Sequence, residues 1–177
     1  MIPKHLESIT AKLIEVGATV TEYDEAVRVQ MDKTPGHCNI KTMPHPGFPT
    51  DMQPQFATLL CLAEGTSFVS ESVWDNRFRY TEQLARMGAH IHVNGKTAVI
   101  EGSPEGLMGA PIRADDLRAG AAMLIAAMAA TGVSELEEIH HIERGYENVV
   151  DKLRSLGAQI ERRTFPDNDE EAKRTAG

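Results

Sequence analysis

The chain has 177 residues and a formal net charge of −8, which is long enough for one domain with a substantial core. The acidic balance disfavours nucleic acid as a partner, because neutralising phosphates requires clustered Lys and Arg. The longest apolar stretch, 119–130, is shorter than a membrane-spanning helix, and the first residues lack the pattern of a secretion signal. Cys38 and Cys61 have no CxxC spacing, so we expect a cytoplasmic protein without disulfides, with Cys61 in the core.

Three amphipathic helices are predicted over residues 4–16, 79–87 and 146–156. Their ends share one pattern, which reads LIEVGATV, LARMGAHI and LRSLGAQI in turn. Each string carries a glycine where a helix typically ends in left-handed backbone, and the residues that follow favour a strand. The pattern therefore predicts a structural unit that recurs about every seventy residues.

A second kind of helix, over 51–64 and 116–131, alternates with the first kind. Residues 117–130 are apolar almost all round, which is typical of a helix buried on most sides. Strands are predicted over 26–31, 38–42, 67–73, 91–93, 97–101, 111–114 and 133–139. The sequence thus predicts an α/β (α+β) chain with units 1–66, 67–132 and an incomplete 133–163, then a disordered acidic tail at 164–177.

The segment 42–56, TMPHPGFPTDMQPQF, leads into the first of these apolar helices through four prolines and a glycine. Thr50 is a typical helix N-cap, and Asp51 falls in the first turn, where backbone N–H groups point outward. Asp51 could stabilise the helix N-terminus. It could also present a rigid carboxylate that accepts a proton from a hydroxyl or orients that hydroxyl. The spacing alone is compatible with both roles.

Arginines stand beside predicted helix starts or turns at three places, namely Arg77, Arg118 and Arg144. A guanidinium group binds a carboxylate or a phosphate through two parallel N–H donors. The alternative for each arginine is a surface ion pair with a neighbouring acid, the candidates being Asp75, Asp116 and Glu143. Both interpretations are open on spacing alone.

The histidines give little support to a metal site. His90 and His92 would share one face of a strand, but no third ligand has a suitable spacing, so we predict no metal. His140 and His141 are expected to point to opposite sides of an extended segment. Trp74, the single tryptophan, is either a core residue or a side chain that packs on a ligand.

Four blocks carry a family resemblance: PHPGFPTDMQ, SVWDNRFRYTEQLARMGAH, RADDLRAGAA and HIERGYENVVDKLRSLGAQIERR. They resemble the enolpyruvyl transferases, and within them the UDP-N-acetylglucosamine 1-carboxyvinyltransferases, in the same order and at similar separations. The resemblance spans about residues 3–163 and matches the C-terminal part of such an enzyme. It implies transfer of the enolpyruvyl group of phosphoenolpyruvate to the 3-hydroxyl of UDP-N-acetylglucosamine, the first committed step of bacterial peptidoglycan synthesis.

The same resemblance implies an inside-out α/β barrel, with sheets outside and helices inside, and no cofactor. It implies that Asp51 contacts the sugar 3-hydroxyl and is the candidate general base, and that the backbone of Val73 contacts the UDP-sugar. The remaining substrate-binding positions that it implies are Arg77, Asp116, Leu117, Arg118 and Arg144, of which Arg118 and Arg144 join Asp51 as catalytic candidates. The family's reactive cysteine and Lys-Asn phosphate-binding element have no counterpart here, so we expect this chain to be inactive alone.

Two other interpretations remain at this point. One is the shikimate-pathway enolpyruvyl transferase, which shares the architecture but resembles these blocks less. The other is a short, non-catalytic relative that binds a nucleotide sugar or a protein partner. Because the third unit lacks a closing segment, we also expect a homodimer formed through Val149, Val150 or Leu153. No membrane partner is expected.

Overall fold

The computed structural model describes residues 2–103 and 105–164. The chain divides into two compact units, Met1–Gly145 and Tyr146–Gly177. The predicted disordered tail lies outside the described residues apart from Thr164. No helix within the described ranges is long and apolar enough to cross a membrane.

The first unit contains most of the secondary structure. Its helices are α1 (Glu7–Glu15), α2 (Gln53–Cys61), α3 (Thr81–Arg86), α4 (Leu117–Ala129) and α5 (His140–Glu143). Its strands are β1 (Thr19–Glu22), β2 (Val27–Gln30), β3 (Ile40–Lys41), β4 (Thr66–Ser70), β5 (His90–Asn94), β6 (Thr97–Glu101), β7 (Pro111–Arg113) and β8 (Glu135–Glu137). The second unit contains α6 (Val149–Ser155). Each predicted strand therefore has an observed counterpart.

The strands form three small sheets. β1 and β2 make an antiparallel hairpin, and β7 pairs with β8 in parallel. The largest sheet has the order β3-β4-β6-β5, in which β3 runs parallel to β4 and the other pairs are antiparallel. β4 begins five residues after the C-terminal end of α2, which connects this sheet to the helix.

The repeated helix ends confirm the predicted pattern. The glycines at 17, 88 and 157 have φ of +101°, +90° and +96°, which side chains other than glycine rarely adopt. In each case the next residue's N–H donates to the carbonyl of a leucine five residues earlier, at 2.9, 3.0 and 3.0 Å. This is the hydrogen-bond pattern with which glycine ends a helix.

The two apolar helices pack against each other at the centre of the first unit. Most of α2 is buried, and Leu60 is among its fully buried side chains. The prediction that α4 is buried on most sides holds only in part, because Ile125 and Met128 are 40% and 46% exposed. Only the face of α4 that carries Ala119, Ala122, Met123 and Ala126 is fully covered.

The histidine pair also differs from expectation. His140 and His141 lie in α5 and not in an extended segment, and their ring centroids are 4.0 Å apart. The helical turn places Ile142 in the core, where it packs against Gly120 of α4. The contact is so close that a Cβ atom added to Gly120 would lie 2.5 Å from the Ile142 side chain. Burial of Ile142 therefore stabilises the packing of α5 on α4.

Candidate functional site

The chain enters α2 through a short 3₁₀ turn, Thr50–Met52. The prediction that Thr50 caps this helix is wrong: the N-cap position is Pro49 for the 3₁₀ turn and Met52 for α2, and no side chain caps either. The Thr50 hydroxyl instead donates to Glu71 Oε2 at 2.9 Å. Asp51 follows with a carboxylate that is 52% exposed, so this acid faces solvent at a helix start that it does not cap.

Two arginines converge on the Asp51 carboxylate. Arg77 Nη2 donates to Oδ1 at 3.3 Å, and Arg118 Nη2 donates to Oδ2 at 2.8 Å. Arg77 comes from the loop after β4, and Arg118 comes from the first turn of α4. A guanidinium group presents paired N–H donors that suit a carboxylate or a phosphate, so two of them at one place are a candidate site for an anionic ligand. We call Asp51, Arg77 and Arg118 the Asp51 cluster.

The neighbouring acids have other roles. Asp75 pairs with Lys96 at 2.8 Å, and this ion pair lowers the pKa of Asp75. Asp116 is the N-cap of α4, and its Oδ1 accepts from the backbone N–H groups of Arg118 at 2.7 Å and Ala119 at 2.8 Å. Asp116 therefore fixes the start of the helix from which Arg118 reaches Asp51.

Glu71 is the functional candidate that sequence reasoning missed. This carboxylate is 2% exposed and accepts four hydrogen bonds, from the Thr42 and Thr50 hydroxyls and from the backbone N–H groups of Val73 and Trp74. Burial acts to raise its pKa, but the four donors together outweigh burial and lower it. A signal was present in the sequence, because alternation along β4 places residues 67, 69 and 71 on the buried side.

A cleft of about 270 Å³ lies beside the Asp51 cluster. The 74–77 loop, Arg79 and Tyr80 line one side of it, and the start of α4 lines the other side at 115, 116 and 119. The Tyr80 hydroxyl and Arg77 Nε are buried and have no hydrogen-bond partner among the described residues. Burial raises the pKa of Tyr80 well above its usual value, so the phenol keeps its proton and can donate it in a hydrogen bond.

The loop residues next to the cleft expose large apolar groups. Trp74 is 60% exposed, so its interpretation as a core residue is wrong. Val73 is also exposed, while its N–H donates to Glu71 at 2.8 Å. A backbone contact from Val73 to a ligand would therefore use the carbonyl oxygen.

Arg144 is not brought onto the Asp51 carboxylate. It is exposed at the C-terminal end of α5 and makes no side-chain hydrogen bond or ion pair within the described residues. The next residue, Gly145, packs on Leu117, the first residue of α4. A Cβ atom added to Gly145 would lie 2.7 Å from the Leu117 side chain. The structure therefore places the backbone of Arg144 beside the start of α4.

Both cysteines are buried and free, and Cys61 lies in the core as predicted. Burial raises the pKa of Cys38 to about 11 and that of Cys61 to about 12, so neither thiol is ionised at neutral pH. Among the described residues, no group of three or more His, Cys, Asp or Glu could hold a metal ion.

Comparison with known proteins supports the resemblance seen in the sequence. The family model described as EPSP synthase (3-phosphoshikimate 1-carboxyvinyltransferase) matches residues 2–153, so the chain belongs to this family of enolpyruvyl transferases. The chain is 53% identical over 160 residues to UDP-N-acetylglucosamine 1-carboxyvinyltransferase 3 of Caldanaerobacter subterraneus, covering 90% of the chain. It is also 53% identical to UDP-N-acetylglucosamine 1-carboxyvinyltransferase of Clostridium botulinum, covering 92%. The chain spans 38% and 39% of these two relatives.

Solved structures agree with this assignment. The enolpyruvyl transferase NikO from Streptomyces tendae superposes with a TM-score of 0.83 at 32% identity, covering 91% of the chain and 37% of NikO. EPSP synthase from Acinetobacter baumannii superposes with a TM-score of 0.61 at 16% identity, covering 87% of the chain and 36% of that enzyme. The second likeness shows the fold alone. The predicted α/β fold of the enolpyruvyl transferase type and the recognised family are thus confirmed, whereas closure of the inside-out barrel stays a prediction.

Proposed function

We propose that this chain is part of a UDP-N-acetylglucosamine 1-carboxyvinyltransferase. The complete enzyme would transfer the enolpyruvyl group of phosphoenolpyruvate to the 3-hydroxyl of UDP-N-acetylglucosamine and release phosphate. One observation carries the proposal: the Asp51 carboxylate is held between Arg77 and Arg118 beside a cleft, in a chain about half identical to relatives with that name. The contribution of this chain would be one wall of the active site.

The proposed chemistry assigns a role to each part of the cluster. Asp51 is exposed and acceptor-only, so its carboxylate is suited to take the proton of the sugar hydroxyl as that oxygen attacks the enol carbon. Arg77 and Arg118 would bind an anionic group of a substrate, and Arg144 would approach when substrate is present. Val73, Asp116 and Leu117 would contact the UDP-sugar through the loop and the start of α4.

Two considerations weigh against the alternatives. The relatives at 53% identity carry the cell-wall enzyme's name, whereas the solved EPSP synthase is only 16% identical, so shikimate-pathway chemistry is the weaker candidate. The second consideration is the Asp51 cluster, because a non-catalytic role does not require a carboxylate held between two arginines beside a cleft. Under either proposal the chain alone would lack transferase activity, since one wall stabilises only part of a transition state.

The proposed function also suggests where the protein acts and how it assembles. The named relatives are bacterial, and both substrates are metabolites of the cytoplasm, so we place the protein in the bacterial cytoplasm. A homodimer is proposed because α6 has no buried residue and Leu156 is largely exposed. Sedimentation at micromolar concentration would show a monomer if the dimer proposal is wrong.

Calorimetric titration with UDP-N-acetylglucosamine tests the central proposal. The wild-type chain should bind it, and Asp51→Asn should weaken binding about tenfold or more, because a hydrogen bond to a charged group is lost. The matched control is Glu15→Gln, which removes the same charge from an acid that is 48% exposed and paired with Lys12. Absence of binding by the wild-type chain, or equal weakening in the control, would contradict the proposal.

A further inference from the structure

Glu71 is a buried carboxylate that the proposed chemistry leaves without a role. It follows the last residue of β4 and points to the same buried side as Ser67 and Val69. An ionised side chain in such a position is costly unless its oxygens are fully hydrogen-bonded. The hydrogen-bond donors around Glu71 therefore show which parts of the chain it connects.

Its four donors come from three separate places in the chain. Oε1 accepts from the Thr42 hydroxyl at 2.7 Å and from the N–H groups of Val73 at 2.8 Å and Trp74 at 3.0 Å. Oε2 accepts from the Thr50 hydroxyl at 2.9 Å. One side chain thereby joins the end of β3, the start of α2 and the loop after β4.

A second set of hydrogen bonds makes this junction tighter. The Ser72 N–H donates to Thr42 Oγ1 at 2.9 Å, and the Ser72 hydroxyl donates to the Thr42 carbonyl oxygen. Thr42 Oγ1 is thus both a donor to Glu71 and an acceptor from the residue beside Glu71. Hydrogen bonds to both Thr42 and Glu71 therefore hold the first residues of the loop that begins at residue 72.

The positions next to these anchors belong to the Asp51 cluster. Asp51 directly follows Thr50, and Arg77 lies three residues after Trp74. We infer that Glu71 is a positioning residue, whose carboxylate holds the start of α2 and the 72–77 loop in the relative position that lets Asp51 and Arg77 meet. This inference rests on the proposed function, because it gives Glu71 a role in forming that site.

A carboxylate is the side chain that fits this position best. It accepts through two oxygens with about four lone pairs, which equals the number of donors that face Glu71. A glutamine would keep the three donors on Oε1 but place an amide NH₂ against the Thr50 hydroxyl. An alanine would leave four buried or part-buried donors without their acceptor.

The single tryptophan provides a direct measurement of the junction. The Trp74 side chain is exposed, and its backbone N–H donates to Glu71. The fluorescence anisotropy of Trp74 therefore reports the mobility of the loop. Glu71→Ala should lower this anisotropy and weaken UDP-N-acetylglucosamine binding about tenfold to a hundredfold, as expected for a lost positioning contact. Glu71→Gln, the variant most similar in shape, should fall between wild type and Glu71→Ala in both measurements.

Two further variants separate positioning from stability. Thr50→Val removes only the link to the start of α2, so it should weaken binding while the Trp74 anisotropy stays at the wild-type value. Thr10→Val removes a buried hydroxyl that donates to the backbone carbonyl oxygens of Leu6 and Glu7 at the start of α1, and it should lower stability without changing either measurement.

The possible outcomes are distinct. A folded Glu71→Gln protein with wild-type anisotropy and wild-type affinity would overturn the inference, as would equal effects in Thr10→Val. If the wild-type chain does not bind UDP-N-acetylglucosamine, the proposed function fails. The anisotropy of the Glu71 variants then still decides whether Glu71 holds the loop.

Discussion

The helices α2 and α4 repeat one sequence pattern, an acidic residue followed by an apolar helix, but their starts are built differently. At α4 the acid itself caps the helix, because Asp116 accepts from two backbone N–H groups. At α2 the acid caps nothing, and Glu71 holds the start from outside through the Thr50 hydroxyl. Asp51 is therefore available to Arg77 and Arg118.

This difference shows how the acid of a repeated element can cap its helix in one copy and leave the cap to other groups in the other copy. Asp116 commits one of its two carboxylate oxygens, Oδ1, to the first turn of α4. At α2 the buried Glu71, which follows β4, holds the helix start, so the first-turn acid Asp51 is free of that role and can face a ligand. The two helices also differ in burial, since α2 is almost fully covered and α4 exposes one apolar face.

The largest expected effect tests the difference in burial. Leu60→Ala in α2 should lower the free energy of unfolding by about 2–5 kcal/mol, because it leaves a cavity in a fully buried position. Ile125→Ala in α4 should cost about 1 kcal/mol, since that side chain is already partly in solvent. Urea unfolding followed by circular dichroism measures both, and similar losses would contradict the assigned core.

A smaller effect concerns the anchor of α2. Glu71→Gln should lower the free energy of unfolding at neutral pH by about 1–3 kcal/mol, because hydrogen bonds to a charged acceptor are weakened. The folded protein lowers the pKa of Glu71 below its ordinary value of 4.5. The stabilisation from the ionised carboxylate is therefore complete above about pH 4.5 and is lost as the pH falls through the folded-state pKa.

Unfolding curves of wild type and Glu71→Gln at several pH values check this dependence. The difference in unfolding free energy between the two proteins should shrink as the solution becomes more acidic. A difference that stays constant from neutral pH to strongly acidic pH would show that the Glu71 charge does not stabilise the fold.

The smallest expected effects compare the two acids directly. Asp116→Ala should cost about 0.5–2 kcal/mol of stability, the usual loss for a helix N-cap. Asp51→Ala should cost less than about 1 kcal/mol, because the carboxylate that it removes from the two ion pairs is half exposed. Thermal unfolding at matched protein concentration ranks the two variants, and a larger loss for Asp51→Ala would assign Asp51 a structural role.

The sequence predicts the elements better than it predicts the site. Left-handed glycines and hydrophobic periodicity located the helix ends and the strands, because both signals are local. The meeting of Arg118 with Asp51 depends on how α2 packs on α4, which no local pattern encodes. Only the family blocks placed those residues in one site.

The errors have physical causes of the same kind. Thr50 has the chemistry of an N-cap, but a buried carboxylate from another strand competes for its hydroxyl. The exposed face of α4 was not predicted, because apolar composition alone does not determine which faces of a helix are covered by other elements. Glu71 could have been identified, since an acid at a buried strand position requires hydrogen-bond partners.

Chemical-shift mapping of the isotope-labelled chain during titration with UDP-N-acetylglucosamine tests the central claim most directly. The account predicts saturable shifts at the backbone amides of Asp51, Val73 and Arg77, with little change in the β1–β2 hairpin at 19–30. The Asp51→Asn chain should show much weaker shifts at the same positions. Absence of shifts, or shifts confined to residues away from the start of α2, would contradict the account.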